Sequence, residues 1–150
     1  TLKNLKIFFT PLKNFIQKVG PDICGFGGEP TPELCRRWQQ LGAFYPFSRN
    51  HNSIHSKDQD PAVWATTGHP EVTEAARNSM SWRYLMLRYL YTLFFRAHTM
   101  GETVARPVFH EFPHDNNTHG IDKQFMWGRS VLISPFLFEV KIISFIKKIY

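Results

Sequence analysis

The chemistry worth following lies in Asp22, Arg49 and His51. Asp22 opens an apolar run, Asp22-Ile23-Cys24-Gly25-Phe26, that closes on Gly27-Gly28, and Arg49 and His51 follow a second apolar run from Ala43 to Phe47. A carboxylate accepts hydrogen bonds, a guanidinium donates them in a fork and an imidazole can do either. A sugar hydroxyl is donor and acceptor at once, so a carboxylate and an imidazole could fix its position, and the stretch has the look of part of a sugar-binding pocket. Taken singly, each is as much at home in a structural role: an Asp in a strand is at least as often an internal partner, and a His after a strand usually is. A second polar group, His110, His114 and His119 near Glu111 and Asp115, invites comparison with a zinc site. Pro113 prevents a helix that would align His110 with His114, and no further ligand pair stands at a zinc-binding spacing, so these are expected to be solvated turn histidines and no metal is expected.

The elements that must position Asp22, Arg49 and His51 follow from the same stretch. Asp22 to Phe26 has the length and punctuation of a strand. Thr31 can cap a helix that starts at Pro32, with Glu33 at the positive end of its dipole. Leu34, Cys35, Trp38 and Leu41 then share one face, Arg36, Arg37 and Gln40 point elsewhere, and Gly42 is the expected C-cap. Ala43 to Phe47 is too short for another helix. Strand, helix, strand makes a βαβ unit, whose ligands gather at the carboxyl ends of the strands.

Downstream, residues 53–70 are expected to form a long surface loop, in which Trp64 serves either as a sugar-stacking platform or, more economically, as a pin holding the loop to the body. Ser81 to His98 is the strongest helical stretch, apolar around almost its whole circumference and stopped by Gly101. Thr103 to Phe109, Gln124 to Trp127 and Val131 to Phe138, the last broken by Ser134-Pro135, have strand character, with a turn at Pro113 to Asn117.

At this point three strings carry a resemblance: GPDICGF, ELCRRWQQLGAFYPFSRNHN and RYLYTLFFRAHTMGETVARP. In this order, from about Val19 to about Glu139, they resemble the α-glucosidases of glycoside hydrolase family 31. Arg88 stands where the family usually has a proline, which removes one reason to expect a kink there. The resemblance implies an α/β fold: a partial (β/α)8 barrel, its last βα units spanning 20–100, followed over 101–140 by the first strands of a β-sandwich. It implies a fragment of a retaining enzyme that releases terminal non-reducing α-linked glucose from oligosaccharides, without a cofactor. Asp22 and His51 correspond to residues that hold the terminal glucose, Arg49 lies beside them and Phe26 matches an aromatic wall. Cys24 and Cys35 correspond to a family disulfide. Retaining hydrolysis needs two carboxyl groups about 5–5.5 Å apart, and the family's two catalytic aspartates belong to motifs not represented in this sequence. No residue here is therefore expected to be catalytic, and a catalytically inactive sugar-binding or non-functional fragment is the alternative.

Length and charge bear on the same question. At 150 residues the chain is shorter than the roughly 250 of a complete barrel. Its formal charge of +6 is not spread evenly: residues 1–19 and 141–150 hold seven lysines and no acid, leaving 20–140 with 11 basic residues against 12 acids. A basic face for nucleic acid is thus not expected in the middle of the chain. The two ends, rich in Lys, Ile and Phe, are unlike the family's flanking sequence and are set apart as an atypical extension and tail. Ile7 to Phe9 is too short for the apolar core of a signal peptide, and no stretch reaches the roughly 18 apolar residues of a membrane span. The cysteine pair and the acceptor triplet Asn116-Asn117-Thr118 point to a parent in the secretory pathway, lysosomal, extracellular or at the cell surface.

Overall fold

The computed structural model describes residues 20–138; the basic extension and the tail lie outside them. Helix α1, Pro32–Gly42, starts as its sequence dictates, with the Leu34 amide donating to Thr31 Oγ1 at 3.2 Å and Pro at the first position. Cys35, Trp38 and Leu41 are buried along it. Arg37 is buried too, against expectation, because the Glu33 carboxylate one turn back accepts its guanidinium. Gly42 does not cap the helix, which runs on into an α-conformation at Ala43. A Cβ on Gly42 would stand 2.4 Å from Ile23 Cδ1, so the glycine is there to let Ile23 lie against the end of the helix.

The flanking strands are much reduced. The first contracts to one parallel bridge, Ile23 to Asn50, in which the Ile23 amide donates to the Arg49 carbonyl at 2.9 Å. The partner segment lies three residues beyond Phe47, and Ala43 to Phe47 is a turn rather than a strand. Its carbonyls are taken by side chains: Arg83 Nη1 donates to Ala43 O at 2.6 Å and Tyr45 O at 2.7 Å, and Trp127 Nε1 donates to Phe44 O at 2.7 Å. Backbone acceptors satisfied in this way have no need of a sheet partner. Burial lowers the Arg83 pKa from its ordinary value.

The expected long loop contains a helix, α2, Pro61–Thr66, whose Asp60 side chain accepts from the Ala62 amide at 2.8 Å. Both α2 and α1 pack on α3, Pro70–Leu85. The single helix expected over Ser81 to His98 is two, because α3 yields to α4, Leu87–Met100, at Met86, whose amide is shared between the Trp82 and Arg83 carbonyls. The break occurs without a proline. Gly101, at φ 72°, ends α4 by donating to the Ala97 carbonyl, a left-handed position that glycine adopts without a Cβ penalty. The enclosure expected all around this region is not found: Leu90, Leu93 and Ala97 are buried, while Tyr91 on the other face is 77 % exposed.

Three short strands close the described region: β1, Ala105–Pro107, β2, Phe125–Trp127, and β3, Val131–Ile133. They form an antiparallel sheet in the order β1-β2-β3, with Ala105 opposite Trp127 and Phe125 opposite Ile133. The first is shorter than expected because the chain turns into a helical turn, α5, Val108–Glu111, where the buried Arg106 holds the Glu111 carboxylate and the Thr103 carbonyl. The third ends before Ser134-Pro135. Tyr89 of α4 donates to the Trp127 carbonyl at 2.8 Å. Through Trp127, whose ring lies edge-on 5.7 Å from Phe44, one core joins sheet, α4 and the turn after α1.

Candidate functional site

The Ile23–Asn50 bridge is the point from which the site is built. Asp22 precedes one side of it and Arg49 the other, and Arg49 donates to Asp22 Oδ1 from Nε at 3.0 Å and from Nη2 at 2.7 Å. Both bonds fall on Oδ1, so Arg49 does not engage Oδ2. The Asp22 and Arg49 side chains are 20 % and 48 % exposed. An ion pair this open adds at most about 1 kcal/mol to stability, so its value lies in holding a carboxylate at a defined place on the surface. The guanidinium also stands 5.5 Å from the Phe47 ring centroid.

A second couple flanks the first. The Phe26 and His51 rings are 5.3 Å apart and inclined by 41°, and both side chains are exposed. Between Asp22 and Phe26 the chain makes a tight turn, closed by the Gly25 amide on the Asp22 carbonyl at 2.9 Å. Cys24 adopts φ 72° in that turn and Gly25 φ 94°. For a residue with a side chain, this left-handed conformation costs about 1–2 kcal/mol. It is held by the disulfide from Cys24 to Cys35 of α1, whose Cα atoms are 4.6 Å apart. The pairing implied by the resemblance is therefore present.

Sequence reasoning missed Gln59. It is 3 % exposed within the expected loop, and its Nε2 lies 3.1 Å from the Ile23 carbonyl, 3.1 Å from the Gly25 carbonyl and 3.0 Å from Asn50 Oδ1. Asn50 Nδ2 returns a bond to the Gln59 carbonyl at 2.8 Å. Nothing in local periodicity marks a glutamine two residues before Pro61 as buried. The adjoining Asp60-Pro61 pair was the legible signal, since a cap residue before proline announces α2 as Thr31-Pro32 announces α1.

Trp64 packs against the core with its ring edge-on to His69 at 5.9 Å, which is the pinning role. His110 stands 3.4 Å from the Glu111 carboxylate and His119 Nε2 lies 3.2 Å from the Pro113 carbonyl, so each is occupied locally. Among the described residues no three His, Cys, Asp or Glu side chains converge as a metal site. Asn116 is exposed at the start of a short 3-10 helix, Asn116–Thr118, while Thr118 is buried and donates to the Asp115 carbonyl at 2.7 Å.

A parallel bridge linked through a helix, with polar and aromatic side chains at its exit, is what the described residues show of a βαβ connection. Residues 14–93 match the glycosyl hydrolases family 31 TIM-barrel domain, and residues 101–145 match the glycosyl hydrolase family 31 C-terminal domain. The chain belongs to glycosyl hydrolase family 31. It is 52 % identical over 124 residues to the lysosomal alpha-glucosidase of Bos taurus, a match covering 83 % of this chain and 13 % of that protein. To the intestinal sucrase-isomaltase of Homo sapiens it is 54 % identical over 122 residues, covering 81 % of this chain and 7 % of that one. Among solved structures, a glucosidase II alpha subunit with Glc1Man2 bound superposes with a TM-score of 0.73 at 35 % identity, covering 81 % of this chain and 13 % of that chain. The chain thus spans about an eighth or less of the length of these relatives. Among the described residues no helix is long and apolar enough to cross a membrane.

Proposed function

We propose that this chain is the terminal-glucose-binding part of a retaining α-glucosidase acting on α-linked oligosaccharides. Residues 20–100 would supply the last βα units of the catalytic barrel and residues 101–140 the beginning of the sandwich that follows. The observation that carries this reading is the Asp22–Arg49 pair, set beside Phe26 and His51 at the exit of a parallel bridge. Asp22 would accept from glucose hydroxyls through the carboxylate oxygen that Arg49 leaves clear, His51 would donate or accept, and Phe26 would cover the apolar side of the ring. Hydrolysis itself would fall to carboxylates supplied from elsewhere in the barrel, so the contribution of these residues is binding and orientation. The relatives named above include a lysosomal and an intestinal enzyme, and with the disulfide this supports a parent in the secretory pathway. Asn116 would be its glycan acceptor.

Titration of the chain with methyl α-D-glucoside tests the reading. Saturable binding in roughly the millimolar range is expected, since few walls surround the ligand. A hydrogen bond to a charged group is worth about 1.5–3 kcal/mol, so Asp22→Asn should weaken binding by roughly 10- to 150-fold while loss of the exposed ion pair lowers the melting temperature by no more than about 4 °C. A folded chain that does not bind the glucoside, or an Asp22→Asn variant with unaltered affinity, would refute the assignment.

A further inference from the structure

We infer that Gln59 is the positioning residue of the glucose site, its one buried amide setting the mutual placement of Asp22, Phe26, Arg49 and His51; the inference rests on the binding role proposed above. None of those groups is buried deeply enough to be located by packing, and Phe26 and His51 are exposed. Their placement must come from the backbone beneath them. That backbone consists of two segments joined by the Ile23–Asn50 bridge and, beyond it, by the Ser53 amide donating to the Phe26 carbonyl at 3.1 Å, and between these two ties the first segment turns through consecutive left-handed residues at Cys24 and Gly25. Gln59 lies where the segments meet. Its amide NH2 faces the Ile23 and Gly25 carbonyls on either side of that turn, and Asn50 Oδ1 on the segment between Arg49 and His51. The His51 carbonyl is 3.5 Å from the same nitrogen.

The disulfide secures only the first segment, through Cys24, to α1. Gln59 touches both. An amide with two N–H donors shared among these oxygens is the right chemistry, whereas a carboxylate in its place would turn acceptor towards acceptor. Gln59 also explains why α2 belongs to the site at all: Asp60 caps that helix, so the glutamine is fixed by the helix start that follows it. Loss of the amide would let the segments slide without unfolding the helices, and a ligand gripped from both would feel the slide first.

The test compares the full chain with its Gln59→Leu and Gln59→Glu variants, titrating methyl α-D-glucoside and recording thermal melts on the same samples. With Gln59→Leu still folded, Kd should rise at least about tenfold. Gln59→Glu separates positioning from general stability, because protonating its carboxyl restores one donor. Its Kd, normalised to the unsubstituted chain at each pH, should be raised at pH 8 and fall back towards one on acidification to pH 5, with the helical signal constant throughout. Unchanged affinity in a folded Gln59→Leu, or a Gln59→Glu defect indifferent to pH, overturns the inference while leaving the glucose site standing. If the unsubstituted chain itself does not bind, the site reading is refuted and this inference falls with it. Should Gln59→Leu fail to fold, the pH response of Gln59→Glu decides alone.

Discussion

Removing the Cys24–Cys35 bridge is the perturbation whose size the structure fixes best. The cysteines are separated by 11 positions. In the chain-entropy model a loop of that length restricts the unfolded chain by about 2.8 kcal/mol at 25 °C. Both cysteines lie in the core, Cys24 4 % and Cys35 0 % exposed, so a Cys24→Ala/Cys35→Ala double variant also loses two buried sulfurs, adding roughly 1 kcal/mol. For a chain of this size each kcal/mol lowers Tm by about 2–4 °C, so a fall of roughly 7–15 °C is expected. The geometry allows a sharper comparison. Because Cys24 sits at φ 72°, alanine there inherits a left-handed conformation that glycine tolerates. Cys24→Gly/Cys35→Ala should therefore be more stable than the double-alanine chain by about 1 kcal/mol, the reverse of the order expected at an ordinary position. Scanning calorimetry of the three proteins reads both effects. A double-alanine Tm within about 3 °C of the parent, or glycine proving worse than alanine at position 24, would refute the reasoning.

The chain alone should not hydrolyse maltose or a nitrophenyl α-glucoside, since the resemblance puts both carboxyl groups of the retaining mechanism in motifs not represented in this sequence; turnover at an enzymatic rate by purified protein would contradict this. Arg83→Leu strips the Ala43 and Tyr45 carbonyls of their donor and should cost at least about 2 kcal/mol in urea unfolding, with an effect near zero counting against the account of the turn. The hydrogen bond from Arg96, with further help from the nearby arginine charges, lowers the Glu102 pKa below its ordinary 4.5. The carboxylate therefore stabilises the fold above that value and ceases to as the pH falls through the lowered one. Glu102→Gln should destabilise the chain at pH 7, and the difference should shrink as the pH is lowered from 4.5 through the depressed pKa, so a difference that does not narrow on acidification would tell against the pairing.

How much of this was legible depended on whether the information was local. Thr31-Pro32 announces α1 and Gly101 ends α4 because caps are set by neighbouring residues. The turn at Ala43 to Phe47 was not legible, since Arg83 and Trp127, which satisfy its carbonyls, come from 38 to 83 positions away. The same holds for Gly42, read as a cap when its reason is contact with Ile23. Asp22, Arg49, Phe26 and His51 were found through the resemblance, and the structure groups them as two couples. Gln59, which joins those couples, escaped both routes.

The resulting distribution of order has a functional consequence. A group of the exposed apolar side chains, Trp82, Tyr84, Leu85, Tyr91 and Phe95, lies on α3 and α4. The bridge, the disulfide and Gln59 are closed within residues 22–59 and draw on nothing from that face. Covering the open face therefore bears on the stability of the helices, whereas the spacing of Asp22 from His51 is set beneath the site itself. Affinity and placement then separate. On the proposed reading, a chain with few walls would hold glucose weakly, but the ratio between its variants would still report which groups the sugar touches, because the removed hydrogen bond is the same in both cases. Substitutions on the open face, such as Tyr91→Ser, should accordingly alter solubility or self-association and leave the glucoside Kd within about twofold. A tenfold change in Kd from that face would mean that the site is positioned through the helices and not by the local clamp.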